Sequence, residues 1–80
     1  HRLCCKGEGL MLHLLICENV YVAEQMALKH NIEEWFFVGN TKDLNCSGRV
    51  ILTGKYEDRH DWFELYRCLQ QRGRPMEIMR

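Results

Sequence analysis

The stretch Gly39-Asn40-Thr41-Lys42-Asp43-Leu44-Asn45-Cys46-Ser47-Gly48 decides the fold of this chain. A strand precedes it, Glu34-Trp35-Phe36-Phe37-Val38, ended by Gly39-Asn40. Another follows, Val50-Ile51-Leu52-Thr53, stopped by Gly54. If the polar stretch turns back on itself, the two strands pair antiparallel. If it carries the chain across a sheet, they run parallel. A parallel crossover usually takes a dozen or more residues and the gap here is about ten, which favours a turn. The near-continuous apolarity of the strands favours the crossover, because such runs mark strands covered on both faces.

Working outward, Leu10-Met11-Leu12-His13-Leu14-Leu15-Ile16-Cys17 lies between Gly7-Glu8-Gly9 and Glu18-Asn19 and reads as a first, doubly covered strand. Ala23, Met26, Ala27 and His30 recur at helical spacing, with Asn19 as N-cap and Asn31 as stop, which predicts a helix near residues 20–30. Asp58 is expected to cap a second helix whose apolar face is Trp62, Leu65, Tyr66 and Leu69. That helix ends at Gly73 and Pro75, and Met76 to Met79 forms a closing strand. The order is β-α-β-β-α-β. A Rossmann-like layered sheet is slightly preferred, and a ferredoxin-like α+β sandwich is the alternative.

Eighty residues make one small α/β domain spanning 1–80, with residues 1–8 expected to be irregular. A chain that starts at His1 reads as a fragment or as carrying a residual tag residue. Eleven basic and eleven acidic residues cancel, which argues against a binder of nucleic acid or membrane working by bulk charge. The longest apolar run is far short of the about 20 residues that span a bilayer, so no membrane partner is expected. The five cysteines, Cys4, Cys5, Cys17, Cys46 and Cys68, follow no regular framework and read as reduced thiols in a cytoplasmic protein.

Either architecture makes the first and third strands parallel, through right-handed helical crossovers. Their C-terminal ends then share an edge that collects Glu18, Asn19, Thr53, Gly54 and Lys55 beside both helix N-termini. Ligands of open α/β sheets bind at such edges. If the protein is an enzyme, Glu18 would hold a metal, Lys55 a phosphate, and Asp58 or His60 would move protons. The recognised catalytic patterns are otherwise missing. Gly48 and Gly54-Lys55 have the wrong spacing for a phosphate loop, and Tyr56 stands where the magnesium-binding hydroxyl belongs. No arginine lies six residues after Cys17 or Cys46, as a cysteine phosphatase requires, and no Cys-x-x-Cys pair suggests zinc.

An apolar strand ending in Glu18, a helix, a second strand, then Val50–Thr53 leading to a helix and a last strand is similar to the layout of Toprim domains. That resemblance covers about 70 residues and implies magnesium-dependent phosphoester chemistry at a strand-end glutamate. Glu18 matches the glutamate, but Asn19 stands where a glycine is usual. The later Asp-x-Asp pair is missing, and Gly54-Lys55-Tyr56 occupies its place. On this reading the metal edge is degraded.

The expected function is therefore a small non-enzymatic interaction or regulatory module, with no cofactor. Tyr21, Val22, Trp62 and Phe63 cannot all face one small core, so an apolar helix face remains for a protein partner or a second copy. Phe63 and Tyr21 are the expected contacts. Two alternatives stand beside it: the phosphoester-handling enzyme of the Glu18–Lys55 edge, and a nucleic-acid-binding element using Arg67, Arg72 and Arg74 of the basic C-terminal face.

Overall fold

Four short strands and two ten-residue helices build the domain in the computed structural model, which describes residues 12–80. In chain order they are β1 (His13–Ile16), α1 (Val20–Lys29), β2 (Trp35–Phe37), β3 (Arg49–Leu52), α2 (Trp62–Gln71) and β4 (Met76–Ile78). Two 3-10 turns, Thr41–Asn45 and Tyr56–Asp58, lie in the connections on either side of β3. The expectations for Cys4, Cys5 and residues 1–8, and for the first two residues of the opening strand, lie outside the described residues.

The strands form one sheet in the order β2-β1-β3-β4, and every neighbouring pair is parallel. The layered parallel reading holds, and the ferredoxin-like alternative does not. β1 lies between β2 and β3, so the polar stretch from 39 to 48 is a crossover. The physical reason is Leu44, which that stretch buries completely, together with Cys46 at 6% exposure. A hairpin turn would leave both in water. Asn40 begins the 3-10 turn with a capping box: its side chain accepts from Lys42 N, while Asp43 accepts from the backbone of Gly39 and Asn40.

The crossover and α2 cover one face of the sheet, where Leu14, Ile16, Val50, Leu52, Leu65 and Leu69 form the larger core. On the other face α1 packs Ala23 and Ala27 over Leu15, Cys17 and Ile51. Small residues on α1 let the helix approach the sheet closely, and this half of the core is thin. Alternation along β3 follows from strand geometry: Val50 and Leu52 serve one core, Ile51 the other. Burying each of the large aliphatic side chains contributes about 1.5–3 kcal/mol before conformational entropy is counted.

The helix ends follow local chemistry, with one exception. Asn19 caps α1, its Oδ1 accepting from Val22 N at 2.8 Å. Asn31 adopts a φ of 56° just past the end of α1. Asn31 N donates to Leu28 O and Ile32 N to Ala27 O, the paired bonds of a Schellman motif. Gly73, at φ 64°, ends α2. Asp58, however, does not cap α2; it closes the 3-10 turn at residues 56–58, and the helix begins after Asp61. Asp61 makes no side-chain cap either, because Arg59 takes both its carboxylate oxygens.

Among the described residues no helix is long and apolar enough to cross a membrane. Cys17 and Cys68 carry free thiols, as expected. Cys46 is disulfide-bonded, so the expectation of reduced cysteines does not hold at that position.

Candidate functional site

The strand order reverses at β1. From there α1 leads out to β2 on one side, and the crossover returns the chain to β3 on the other. The crevice at the C-terminal ends of β1 and β3 is therefore the topological switch point, where open α/β sheets bind ligands. It contains the residues whose meeting the parallel pairing implies. Thr53 N donates to Ile16 O at 3.0 Å, continuing the ladder one residue past the end of β3. Glu18 then reaches across, and its Oε1 accepts from Lys55 N at 2.7 Å.

Gly54 makes that reach possible. It has a φ of 59°, and a Cβ placed on it would lie 2.5 Å from Glu18 Oε1 and 2.8 Å from Val22 Cγ1. Only glycine fits this approach without displacement. The glutamate packs against the β3–α2 connection rather than standing open in the crevice. Thr53 is 1% exposed, and its Oγ1 has no hydrogen-bond partner among the described residues.

Arg59 fills the neighbouring part of the edge. Its side chain is 6% exposed, and Nε and Nη2 each bond one oxygen of Asp61 at 2.9 Å. Nη1 reaches the carbonyls of Cys17 at 3.3 Å and Val38 at 2.5 Å, and Nη2 that of Gly39 at 3.0 Å. These carbonyls end β1 and β2, so one guanidinium ties two strand ends to the start of α2. The guanidinium also lies 5.4 Å above the Phe37 ring. A planar fork with five donors suits this task, which a lysine could not perform.

Electrostatics follow from that geometry. Burial alone would raise the Asp61 carboxyl, but the Arg59 hydrogen bonds and charge outweigh it and hold the group below its ordinary value. Burial pushes the Cys17 thiol, at the end of β1, up to about 11, and its Sγ–H donates to Asn19 O at 3.2 Å, a bond that only the protonated form makes. A thiol held protonated in this way is a poor nucleophile.

The residues expected to carry chemistry are only partly assembled. Glu18 and Lys55 meet through a backbone nitrogen, and the Lys55 side chain is exposed. Asp58 and His60 are both exposed, on either side of Arg59. Among the described residues no group of three or more His, Cys, Asp or Glu side chains is placed to share a metal ion.

The expected partner-binding residues divide into two kinds. Phe63 is 76% exposed and Tyr21 67%. They lie on helices that cover opposite faces of the sheet. Arg67 is exposed on α2. Arg72 and Arg74 are engaged internally. Arg72 Nη1 donates to Leu44 O at 3.1 Å, and Arg74 donates to the carbonyls of Leu44, Cys46 and Gly48 at 2.5, 3.0 and 2.8 Å. They staple the crossover to the end of α2. Burial, with Arg72 beside it, holds the Arg74 guanidinium below its usual value.

Sequence reasoning passed over Arg59 in favour of its neighbours Asp58 and His60. The Arg-x-Asp spacing was the only local signal, and it is weak. The carbonyls that give Arg59 its role lie 20 to 42 residues away in sequence.

Fold and edge together define a small, doubly wound parallel α/β domain whose switch point is closed by its own side chains. Compared with protein-family models, curated proteins and solved structures, the chain matches none.

Proposed function

We propose that this domain is a non-enzymatic interaction or regulatory module that binds a protein partner, or a second copy of itself, through the outward face of α2. The observation that carries this reading is Phe63, three-quarters exposed in the first turn of α2. Tyr66, 42% exposed, and the exposed Arg67 follow at i+3 and i+4, so all three share a helix surface. Aromatic residues and arginine dominate the energetic centres of protein interfaces. An isolated phenylalanine held in water gains about 1.5–3 kcal/mol when a partner covers it.

The enzymatic alternative rests on Glu18 and Lys55 meeting at the switch point. It is the weaker reading, because the glutamate is already engaged and Arg59 with Asp61 fills the adjacent edge. The nucleic-acid alternative loses two of its three arginines to the crossover carbonyls. A cytoplasmic setting fits the free thiols of Cys17 and Cys68, whereas the bonded Cys46 weighs against it.

The test compares wild type with Phe63→Glu in sedimentation equilibrium and in affinity capture, with circular dichroism confirming the fold. Loss of the dimer or of the captured partner in a folded variant supports the α2 face. Unchanged association in both assays sinks it.

A further inference from the structure

Two open surfaces of this domain adjoin each other. The first is the free edge of the sheet at β4, whose neighbour among the described residues is β3 alone. Met79 N donates to Leu52 O at 2.9 Å, so Glu77 and Met79 turn their amides toward β3, and Met76 and Ile78 turn theirs away. Met76 packs against the core beneath α2. Ile78, two residues on, shares that face of the sheet and is 64% exposed. Free charges commonly protect an edge strand from pairing. Here the nearby charges are tied back to their own chain, Glu77 by Arg49 at 3.1 Å and Arg80 by Glu57 at 2.8 Å.

The second surface is the flank of α2 above that edge. Arg72 reaches Leu44 O, so the flank carrying Cys68 and Arg72 faces the crossover. Trp62 and Tyr66 lie on the other flank, with ring centroids 5.6 Å apart. Trp62 meets Tyr56 edge-on at 4.9 Å, and the guanidinium of Arg80, two residues past β4, lies 5.3 Å from the centre of the Tyr56 ring. This row of rings joins the flank to the β4 edge, and the exposed Phe63 neighbours Tyr66 on its outer side.

We infer that the partner of the α2 face is a second copy of this chain, related by a two-fold axis beside Ile78. The inference rests on the α2 reading above and adds the sheet edge to it. β4 pairs antiparallel with its copy, the two Ile78 residues face each other and exchange both backbone hydrogen bonds, and the two sheets become one. A register that sets Glu77 against Glu77 opposes like charges, and the shift in the other sense sets Arg80 against Ile78. The same axis closes the helices. α2 connects β3 to β4, and a helix centred between those strands lies half a strand spacing inside β4, while the axis lies half a spacing outside it. With strands about 4.8 Å apart, the copies of α2 run about 10 Å apart, the distance at which helices pack. Phe63 and Tyr66 are covered together with the edge. A ten-residue helix, about 15 Å long, is too short to supply alone the about 800 Å² per partner of a standard interface.

The experiment is sedimentation equilibrium of wild type, Phe63→Glu, Ile78→Pro and Ile78→Lys up to millimolar protein, with circular dichroism as the control for fold. Proline at 78 removes only an amide that faces away from β3, which an edge strand tolerates. Lysine there changes only an exposed side chain and keeps the test open if proline disturbs β4. The expected result is a wild-type dimer whose dissociation constant rises by at least about tenfold in all three variants. The Ile78 amide should also exchange with solvent more slowly as the wild-type concentration rises. A wild type that stays monomeric overturns the dimer and leaves the α2 face to be decided by partner capture. Association lost in Phe63→Glu but kept in both Ile78 variants overturns the β4 pairing while the α2 face stands. Association lost in the Ile78 variants but kept in Phe63→Glu overturns the α2 reading and this dimer with it.

Discussion

Glu18 Oε1 lies 2.7 Å from the backbone nitrogen of Lys55, 37 residues away in sequence. This bond closes the crevice between β1 and β3 with a side chain of the protein itself. It also makes Gly54 the most constrained position of the edge, because the carboxylate rests where its side chain would be.

Gly54→Ala should therefore cost more than Gly73→Ala. Both glycines have positive φ, 59° and 64°, so both variants carry the strain of a left-handed alanine, about 1–2 kcal/mol. At Gly73 a Cβ meets nothing within 4 Å, whereas at Gly54 it collides with Glu18 and Val22. Urea unfolding of the two variants should show the larger loss at Gly54. Equal losses would mean that the edge yields easily.

Arg59→Ala should be among the most destabilising single changes on the surface side of the sheet. It leaves Asp61 without its partner and removes donors from the carbonyls of Cys17, Val38 and Gly39. Breaking a buried pair from one side typically costs about 3–5 kcal/mol. Arg59→Lys should recover only part of this, since one ammonium cannot serve three strand-end carbonyls and a carboxylate together. Thermal unfolding of the two variants checks the order.

The same pair makes stability depend on acid. The folded carboxyl of Asp61 lies below its unfolded value, so its contribution is complete above the unfolded pKa of about 3.9. It is lost as pH falls through the lower folded value. Stability of wild type should drop below about pH 4, and Asp61→Asn should start lower and show a flatter acid limb. Parallel acid limbs for the two proteins would assign the drop to other carboxylates.

Cys17 predicts the opposite limb. Its folded thiol is raised to about 11, so its contribution is complete below the unfolded pKa and is lost as pH rises from there through the folded value of about 11. With a disulfide-exchange reagent at pH 8, Cys68 should react before Cys17, which should respond only on unfolding. Fast labelling of Cys17 in the folded protein would show that the end of β1 opens readily.

The α2 face yields a prediction about stability as well as binding. Phe63 is 76% exposed, so Phe63→Glu should change the unfolding free energy by no more than about 0.5 kcal/mol. Leu69→Ala, on the buried side of the same helix, should cost about 2–5 kcal/mol. Any loss of association in Phe63→Glu can then be read as loss of contact. A large loss of stability at Phe63 would instead show that the side chain packs against its own domain.

Much of the architecture is legible in short stretches of sequence. Asn19 caps its helix, Gly73 ends the other, and the apolar runs around Leu15 and Ile51 become parallel neighbours whose ends bring Glu18 to Lys55. Caps, periodicity and crossover handedness act within a few residues or follow from chirality, so local reading reaches them. The path of residues 39–48 is different. Their polar composition resembles a turn, and only the burial of Leu44 beneath α2, stapled by Arg72 and Arg74, makes them a crossover. Asp58 looked like a helix cap because nothing nearby showed that Arg59 would draw Asp61 away from the helix end and lock it against two strand ends. An arginine bonds whatever carbonyls the fold leaves without a ladder partner, and those are chosen by strand order. Strand order is a property of the assembled sheet, and no window of the sequence contains it.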